Sequence, residues 1–565
     1  MKLRAGWYLL LMLFLSGTWL GADEKARLWV YTTANFQVDA STDKLLALLK
    51  RAKAAGYDGA VVTDYKFGKI DGRIDRYYRN LERTRTTAQK LDMELIPCVM
   101  PIGYSNSILQ NNPNLAAGLP VKDCPFVVRG GVARVTGGGN LLPGGGFEKA
   151  GRHGPEGWSW VDGFGQSTHL DRATKHGGAS SLRMSSFSKG NEAGNCRVVR
   201  NLKLEPWRQY RMTAWIKTKG VPNAGDMKAM PLASGGLALN HMTLGVKPTQ
   251  DWTRHQITFN SQDRTEVKLY LGIWSGKAGT IWIDDLELRE VGGVNLLRRP
   301  GCPVSVRSED GKIEYLEGRD FEKWTDPNMG SVPWAGEFGV SQADPPIRLT
   351  KNSRIREGQR LRVFFHHTAI IYDGQVSCCL LEKELFTHLS RQVELLHKYF
   401  KPSRYFMQHD ELRVAGHCRL CRSTGKTSGQ LLADNARRCV ATIREVNPKA
   451  EILVWSDMFD PHHNARANYY LVNGTLTNSW EGLDKSVVVV NWNGGKSARS
   501  LQWFAERGHR QLIAGYYDGN PGANYRRWQE GAKGVDGVLG YMYTTWRNRY
   551  DDLETFAKLV RAGQK

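Results

Sequence analysis

Arg404-Tyr405-Phe406-Met407-Gln408-His409-Asp410-Glu411-Leu412-Arg413 is the stretch whose reading decides the fold. An aromatic, apolar run from Tyr405 to Met407 stops abruptly at a histidine and two adjacent carboxylates. A buried parallel strand looks like this where its C-terminal end opens into a polar pocket. In a (β/α)8 barrel the reactive residues sit at such strand ends. Asp410 and Glu411 are therefore the first candidates for acid–base chemistry. The dipeptide alone decides little, because Asp23-Glu24 repeats it near the N-terminus.

The pattern around the stretch says more. Downstream, a helix is expected near Gln430 to Val446, and a strand from Glu451 to Trp455 ends at Ser456-Asp457. Strand Ser486 to Val490 ends at Asn491-Trp492, and helix Ala498 to Arg507 precedes strand Gln511 to Ala514, which ends at Tyr516-Tyr517-Asp518. Strand Val538 to Tyr543 ends at Thr544-Thr545-Trp546, before a last helix near Leu553 to Ala562. Upstream, Arg27 to Thr33, Gly59 to Thr63 (ending at Asp64) and Glu94 to Met100 read as strands, separated by helices Thr42 to Ala55 and Arg73 to Leu91. Such alternation gives right-handed βαβ units and a parallel sheet. Three strands before the break and five after it make eight, provided Leu361 to His366 lies outside the set.

From about Tyr104 to Lys401 the alternation is lost. Tyr210 to Lys217, Val267 to Trp274 and Thr280 to Leu288 alternate in polarity like half-buried strands. Many short strands with Gly-rich turns predict a β-sandwich. Seven tryptophans (158, 160, 207, 215, 252, 274 and 282) fall in this region, and most are expected in its core. The predicted fold is thus α/β: a (β/α)8 TIM barrel with an inserted all-β jelly-roll sandwich domain. The barrel is expected over 23–130 and 404–565, the sandwich over 138–292, and a connecting β-rich segment with a helix over 293–403.

A chain of 565 residues, 41% hydrophobic with 18 Trp, has material for two or three cores. Lys2 and Arg4, an apolar run from Trp7 to Leu15, and small residues ending at Gly21-Ala22 predict a signal peptide over 1–22. The run is too short to span a bilayer, and no later stretch is long enough. An exported protein, periplasmic or extracellular and without stable membrane insertion, is expected. The formal charge of +22 comes from scattered residues. It suits a polysaccharide or glycan partner, anionic polymers included. Nucleic acid is disfavoured by export and by the lack of a binding motif.

Nine cysteines, an odd number in a long chain, do not read as a disulfide scaffold. Cys418-Arg419-Leu420-Cys421 has half of a zinc spacing with no second half in sequence. A local disulfide or two unpaired thiols is the expectation there.

Read together, the strand ends predict a convergent site. Its members are Asp64, His409, Asp410, Glu411, Trp455, Asp457, Asn491, Trp492, Tyr517, Asp518 and Trp546. Aromatic faces cover the apolar side of a pyranose, and carboxylates accept its hydroxyl hydrogens.

Two resemblances sharpen this. Asn140 to Val291 resembles the jelly-roll carbohydrate-binding modules of the family 4 and 9 type. It opens on Asn140-Leu141-Leu142-Pro143-Gly144-Gly145-Gly146-Phe147-Glu148, contains Gly178-Ala179-Ser180-Ser181-Leu182, and closes on Ile281-Trp282-Ile283-Asp284-Asp285-Leu286. That resemblance implies a structural calcium at Glu148 and Asp284. The module is expected either to bind glycan or to brace the barrel rim. Arg404 to Trp546 resembles glycoside hydrolase family 20, the β-N-acetylhexosaminidases. The matching elements are Asp410-Glu411, Trp455-Ser456-Asp457, Tyr517-Asp518 and Trp546. The resemblance implies Glu411 as general acid and Asp410 as the group orienting a substrate acetamido that attacks the anomeric carbon. No cofactor is needed for such catalysis. The family's Gly-Gly before Asp-Glu is replaced by Gln408-His409, and its first-strand Arg is absent from Leu28 to Thr33. A conventional retaining layout, with Glu411 as acid/base and Asp518 as nucleophile, therefore stays open. So does a non-catalytic glycan-binding protein on the same scaffold.

Overall fold

Eight parallel strands close on themselves in the computed structural model, which describes residues 26–136, 139–372 and 374–563. The strands are Arg27–Thr33, Gly59–Thr63, Glu94–Val99, Arg404–Met407, Glu451–Trp455, Val488–Asn491, Gln511–Ala514 and Val538–Tyr543, neighbours in that order. Closure is made where Val30 pairs with Tyr543, and the third and fourth strands meet at Phe406 and Cys98. The expected signal peptide over 1–22 lies outside the described residues.

Period-two alternation sorts the side chains of this sheet. Trp29, Tyr31, Val61, Ile96, Cys98, Phe406, Leu453, Trp455, Val490, Leu512 and Met542 fill the interior as one core. Their neighbours Leu28, Val30, Val62, Tyr405, Met407, Val454 and Tyr543 point outward into a second, larger core. The outer core also takes up the helices Asp39–Ala54, Asp75–Lys90, Lys383–Phe400 and Ser428–Val446, through residues such as Leu49, Leu81, Leu389 and Leu432.

The expectation of a (β/α)8 TIM barrel with one jelly-roll insert is corrected here. The molecule is largely β: eighteen of its 26 strands lie outside the barrel, against nine α-helices among the described residues. Two of those helices, Asn106–Leu109 and Arg419–Arg422, have only four residues. Between Glu451–Trp455 and Val488–Asn491 no α-helix forms among the described residues; the chain makes the 3-10 turns Asp457–Phe459 and Ser479–Gly482 and the short strand Leu471–Val472. Residues 456–464, Ser-Asp-Met-Phe-Asp-Pro-His-His-Asn, lack helical periodicity and are rich in turn formers.

The insertion contains two five-stranded antiparallel sheets. Gln250–Asn260, Gln209–Lys219, Thr280–Val291, Ser181–Ser185 and Thr168–Asp171 form one. Met242–Thr243, Met227–Ala233, Glu266–Ile273, Cys196–Lys203 and Trp160–Val161 form the other. Met212, Ile216, Ile257, Leu269, Leu271 and Ile283 belong to their shared core. None of the seven tryptophans is buried, contrary to expectation: six are half-buried and Trp160 is exposed. Alternation turns the four that lie in strands (160, 215, 252 and 282) to outer faces, where Trp215 stacks on His176 and Trp282 donates to Asp171, while Trp158 packs on the core against Phe147.

A further six-stranded sheet joins sandwich and barrel. In it Leu119–Arg129 pairs with Arg360–His367, and Val132–Val135 with Ile347–Arg348. Residues 119–130, grouped with the barrel from the sequence, belong to this sheet. No helix of the described residues is long and apolar enough to cross a membrane.

Candidate active site

A pocket of about 960 Å³ opens at the C-terminal end of the barrel. Its floor follows from the alternation: after inward Phe406, the next inward positions are Gln408 and Asp410. Trp455 of the fifth strand, Trp492 after the sixth, Tyr517-Asp518 after the seventh and Trp546 after the eighth form one side. Tyr104, Arg413 and Tyr470 form the other, together with Tyr372 and with His241, which comes from the sandwich insertion. Trp492 and Tyr517 stack nearly parallel, 6° apart, and Trp546 meets Tyr517 edge-on. The insertion thus supplies a wall of the pocket.

Three carboxylates meet at this floor in unlike surroundings. Glu411 accepts the Tyr104 hydroxyl at 2.6 Å and pairs with Arg413 at 2.8 Å. Arg413 is itself held by Gln375 and lies over the rings of Tyr372 and Tyr470, at 4.8 and 5.1 Å from their centres. Asp457 is fully buried. Its oxygens accept the Glu411 amide (2.9 Å), the Asn464 side chain (2.9 Å) and the Trp492 indole N–H (3.2 Å). Burial, with the charge of Glu411 added, still raises its carboxyl to about 7. Asp410 is pushed well above the usual carboxylate range, first by burial, then by Asp457 and Glu411. Among the described residues, the hydrogen bond that eases its charge comes from its own backbone amide. Three acidic groups against one guanidinium keep a proton near neutrality.

The backbone is strained where these groups are presented. Glu411, Tyr372, Tyr470, Tyr517 and Asp518 all have positive φ, between 40° and 73°. They are five of the 19 non-glycine residues in that region among those described, and all five line the pocket. Such conformations cost energy and gather where geometry serves function. Gly103 permits the close approach behind Asp410: a Cβ there would fall 1.7 Å from the Asp410 carbonyl oxygen.

Of the residues singled out in the sequence, Asp410, Glu411, Trp455, Trp492, Tyr517, Asp518 and Trp546 line the pocket, with Asp457 directly behind. Three do not join them, because alternation turns them outward. His409 is buried against the Ser428–Val446 helix, Nε2 3.1 Å from Asn435, and burial lowers it to about 4. Asn491 donates to Gln511 inside the protein. Asp64 caps the turn Tyr65–Lys69, accepting the amides of Lys66 and Phe36. Asp518 reaches the pocket, yet its oxygens accept the Thr545 hydroxyl and the amides of Trp546 (2.7 Å) and Arg547 (3.2 Å).

Sequence reasoning missed Tyr31, Gln408, Tyr104 and Arg413, and also Tyr470, Tyr372 and His241. The first two were accessible through alternation, and Tyr104 and Arg413 lie just past strand ends. The other three come from loops with no strand to place them.

In the sandwich, Glu148 accepts the amides of Ala179 and Ser180, and Asp284 those of His176, Gly177 and Asp285. The two carboxylates clasp the 176–180 loop with one oxygen each, and a third oxygen holds the Asp285 amide. With three of four oxygens engaged by backbone amides, the pair is a poor cage for a calcium ion, which takes six to eight oxygens.

No family model matches the chain, and no curated protein does. Solved structures resemble parts of it. A rhamnosidase from Novosphingobium sp. PP1Y aligns with 96% of this chain and 59% of its own, at 11% identity and TM-score 0.31. An arabinose-bound α-L-arabinofuranosidase aligns with 72% of this chain and 71% of its own, at 10% identity and TM-score 0.21. A structure described as CBM4 aligns with 26% of this chain and 99% of its own, at 14% identity and TM-score 0.21.

Proposed function

We propose that the protein is a glycoside hydrolase acting on a glycan. The observation that carries this reading is Asp410, a carboxyl pushed far above its usual range, on the floor of an aromatic-walled pocket beside an Arg-paired carboxylate. Breaking a glycosidic bond requires a proton for the leaving oxygen and negative charge near the oxocarbenium-like centre. Asp410 holds a proton where a solvent-exposed aspartate would have lost it. Glu411, fixed by Arg413 and Tyr104, provides the charge. Trp492, Tyr517 and Trp546 provide the aromatic wall for the sugar ring, above the buried Trp455. These roles exchange those implied by the family 20 resemblance, since the environments of the two carboxylates differ in that sense. Asp518, with its oxygens committed to the 545–547 loop, shapes the wall rather than attacks.

The test uses aryl glycosides with good and poor leaving groups, with and without a 2-acetamido substituent. Loss of the acid spares good leaving groups and abolishes turnover of poor ones. That pattern is expected for Asp410→Asn. The same pattern in Glu411→Gln would return the acid role to Glu411. Glycan binding that persists in both variants, with no hydrolysis of polymer or aryl substrates by the native protein, would overturn the reading.

A further inference from the structure

Four buried thiols from three distant segments meet in the core: Cys302, Cys379, and Cys418 with Cys421. The sulfurs of Cys418 and Cys421 are 3.5 Å apart, those of Cys379 and Cys418 3.7 Å, and those of Cys379 and Cys421 3.8 Å. The Cys302 thiol lies beside that of Cys418, outside the set of three whose sulfurs all lie within 4.8 Å of one another. A disulfide needs about 2.05 Å, so the local bridge considered for Cys418 and Cys421 is not formed. Nor are these two isolated thiols. The second half of the zinc spacing, missing from the sequence, arrives through the fold from Cys302 and Cys379.

The separations have a specific meaning. Zinc–sulfur bonds of about 2.3 Å in a tetrahedron place the sulfurs about 3.8 Å from one another. Three buried thiols from two distant segments, mutually at that edge length, form one triangular face of such a tetrahedron. We infer that the chain binds one structural zinc ion, with Cys379, Cys418 and Cys421 as three thiolate ligands and Cys302 as the fourth.

The surroundings suit the charge of such a site. A zinc tetrathiolate carries two negative charges, and the Arg299 guanidinium acts electrostatically on Cys379, Cys302 and Cys418. Arg299 donates to Glu382 (2.7 Å) and to the carbonyls of Asn114 (2.6 Å) and Ala116 (2.9 Å). Its Nη2 is buried and without a hydrogen-bond partner, a spare donor in the neighbourhood of the thiols. Gly118 keeps the space open: a Cβ there would lie 2.9 Å from the Cys302 sulfur.

The site would act as a staple between the insertion and the pocket. Cys302 closes a turn after the sandwich, its amide bonded to the Arg299 carbonyl. Cys379 ends a segment whose Gln375 donates to the carbonyls of Gly103 and Glu411. Cys418 and Cys421 follow Arg413 along the same loop. None of this depends on the reaction proposed above.

The test is metal analysis of the full-length protein by plasma mass spectrometry, with release into a metallochromic indicator on mercurial treatment. One zinc per chain is expected, lost in Cys421→Ser and in Cys302→Ser with a lowered unfolding midpoint. Should either variant fail to fold, protein produced in cobalt medium serves instead. Thiolate-to-cobalt charge transfer and the visible bands of tetrahedral Co²⁺ are then expected. Native protein without stoichiometric metal, with the four thiols free to alkylation after denaturation, would overturn the inference. So would a Cys418–Cys421 disulfide found by peptide mass spectrometry.

Discussion

The fourth and seventh barrel strands end alike on paper and differently in space. Each delivers an aspartate to the same pocket, Asp410 and Asp518, beside a residue with positive φ. Asp518 finds three donors in the following loop and satisfies them. Asp410, half-buried on the pocket floor, finds its own amide, the distant charge of Arg413 and two other carboxylates, and its proton affinity rises accordingly. Residue type at a strand end therefore does not assign a role. The donors within reach decide whether a carboxylate builds a wall or remains available for chemistry.

The sharpest way to break this contrast is to remove each charge. Asp410→Asn and Glu411→Gln are expected to lower kcat by about 10²–10⁴-fold on poor leaving groups. Asp518→Asn, which keeps an oxygen for the Trp546 amide, should lower it by less than about tenfold, which steady-state kinetics would read. A loss at 518 equal to that at 411 would make Asp518 the nucleophile.

Stability should reverse the ranking. Asp518→Ala removes the bonds to Thr545, Trp546 and Arg547 and leaves them to water, and should cost about 0.5–1.5 kcal/mol, read from urea midpoints. Asp410→Asn should cost nothing of this kind. Near neutrality it should raise the midpoint, because it removes a carboxyl that the fold holds in an unfavourable charge state.

Asp457 refines the picture through pH. Its folded value of about 7 lies above the ordinary carboxylate value near about 4. Through that window the folded chain binds more protons than the unfolded one, so stability falls as pH rises from about 4 to about 7. Asp457→Asn should flatten this slope in thermal melts at stepped pH; an unchanged slope would place the proton elsewhere in the cluster. The smallest effect is expected from Trp492→Phe. It keeps a ring against Tyr517 but withdraws the indole N–H from Asp457, shifting the basic limb of the rate profile upward by a fraction of a unit.

Much of the pocket was legible in the sequence, and the reason lies in one rule. Each barrel strand alternates, so inward Phe406 marks Gln408 and Asp410 as inward and His409 as outward. Inward Val490 similarly marks Trp492 and sets Asn491 aside. Choosing polar residues at strand ends without this rule brought in Asp64, His409 and Asn491. The (β/α)8 reading failed at 456–487, where turn-forming residues build the wall behind Glu411 in place of a helix. The partners of Cys418 and Cys421 were invisible for a different reason: Cys302 and Cys379 carry no local signal. Only the folded chain brings them near.

The barrel's third and fourth strands are neighbours in space with residues 100–403 between them in sequence. During synthesis, the first three strands leave the ribosome on the order of tens of seconds before their partner. The sandwich, with its own core, can fold in that interval, while the outer edge of Glu94–Val99 waits unpaired. Pro97 stands in that strand, a residue that discourages wrong strand-to-strand pairing at an open edge. The last piece to arrive at that edge is Arg404–Met407, and with it Asp410 and Glu411. The pocket can be assembled only after everything that walls it has been made.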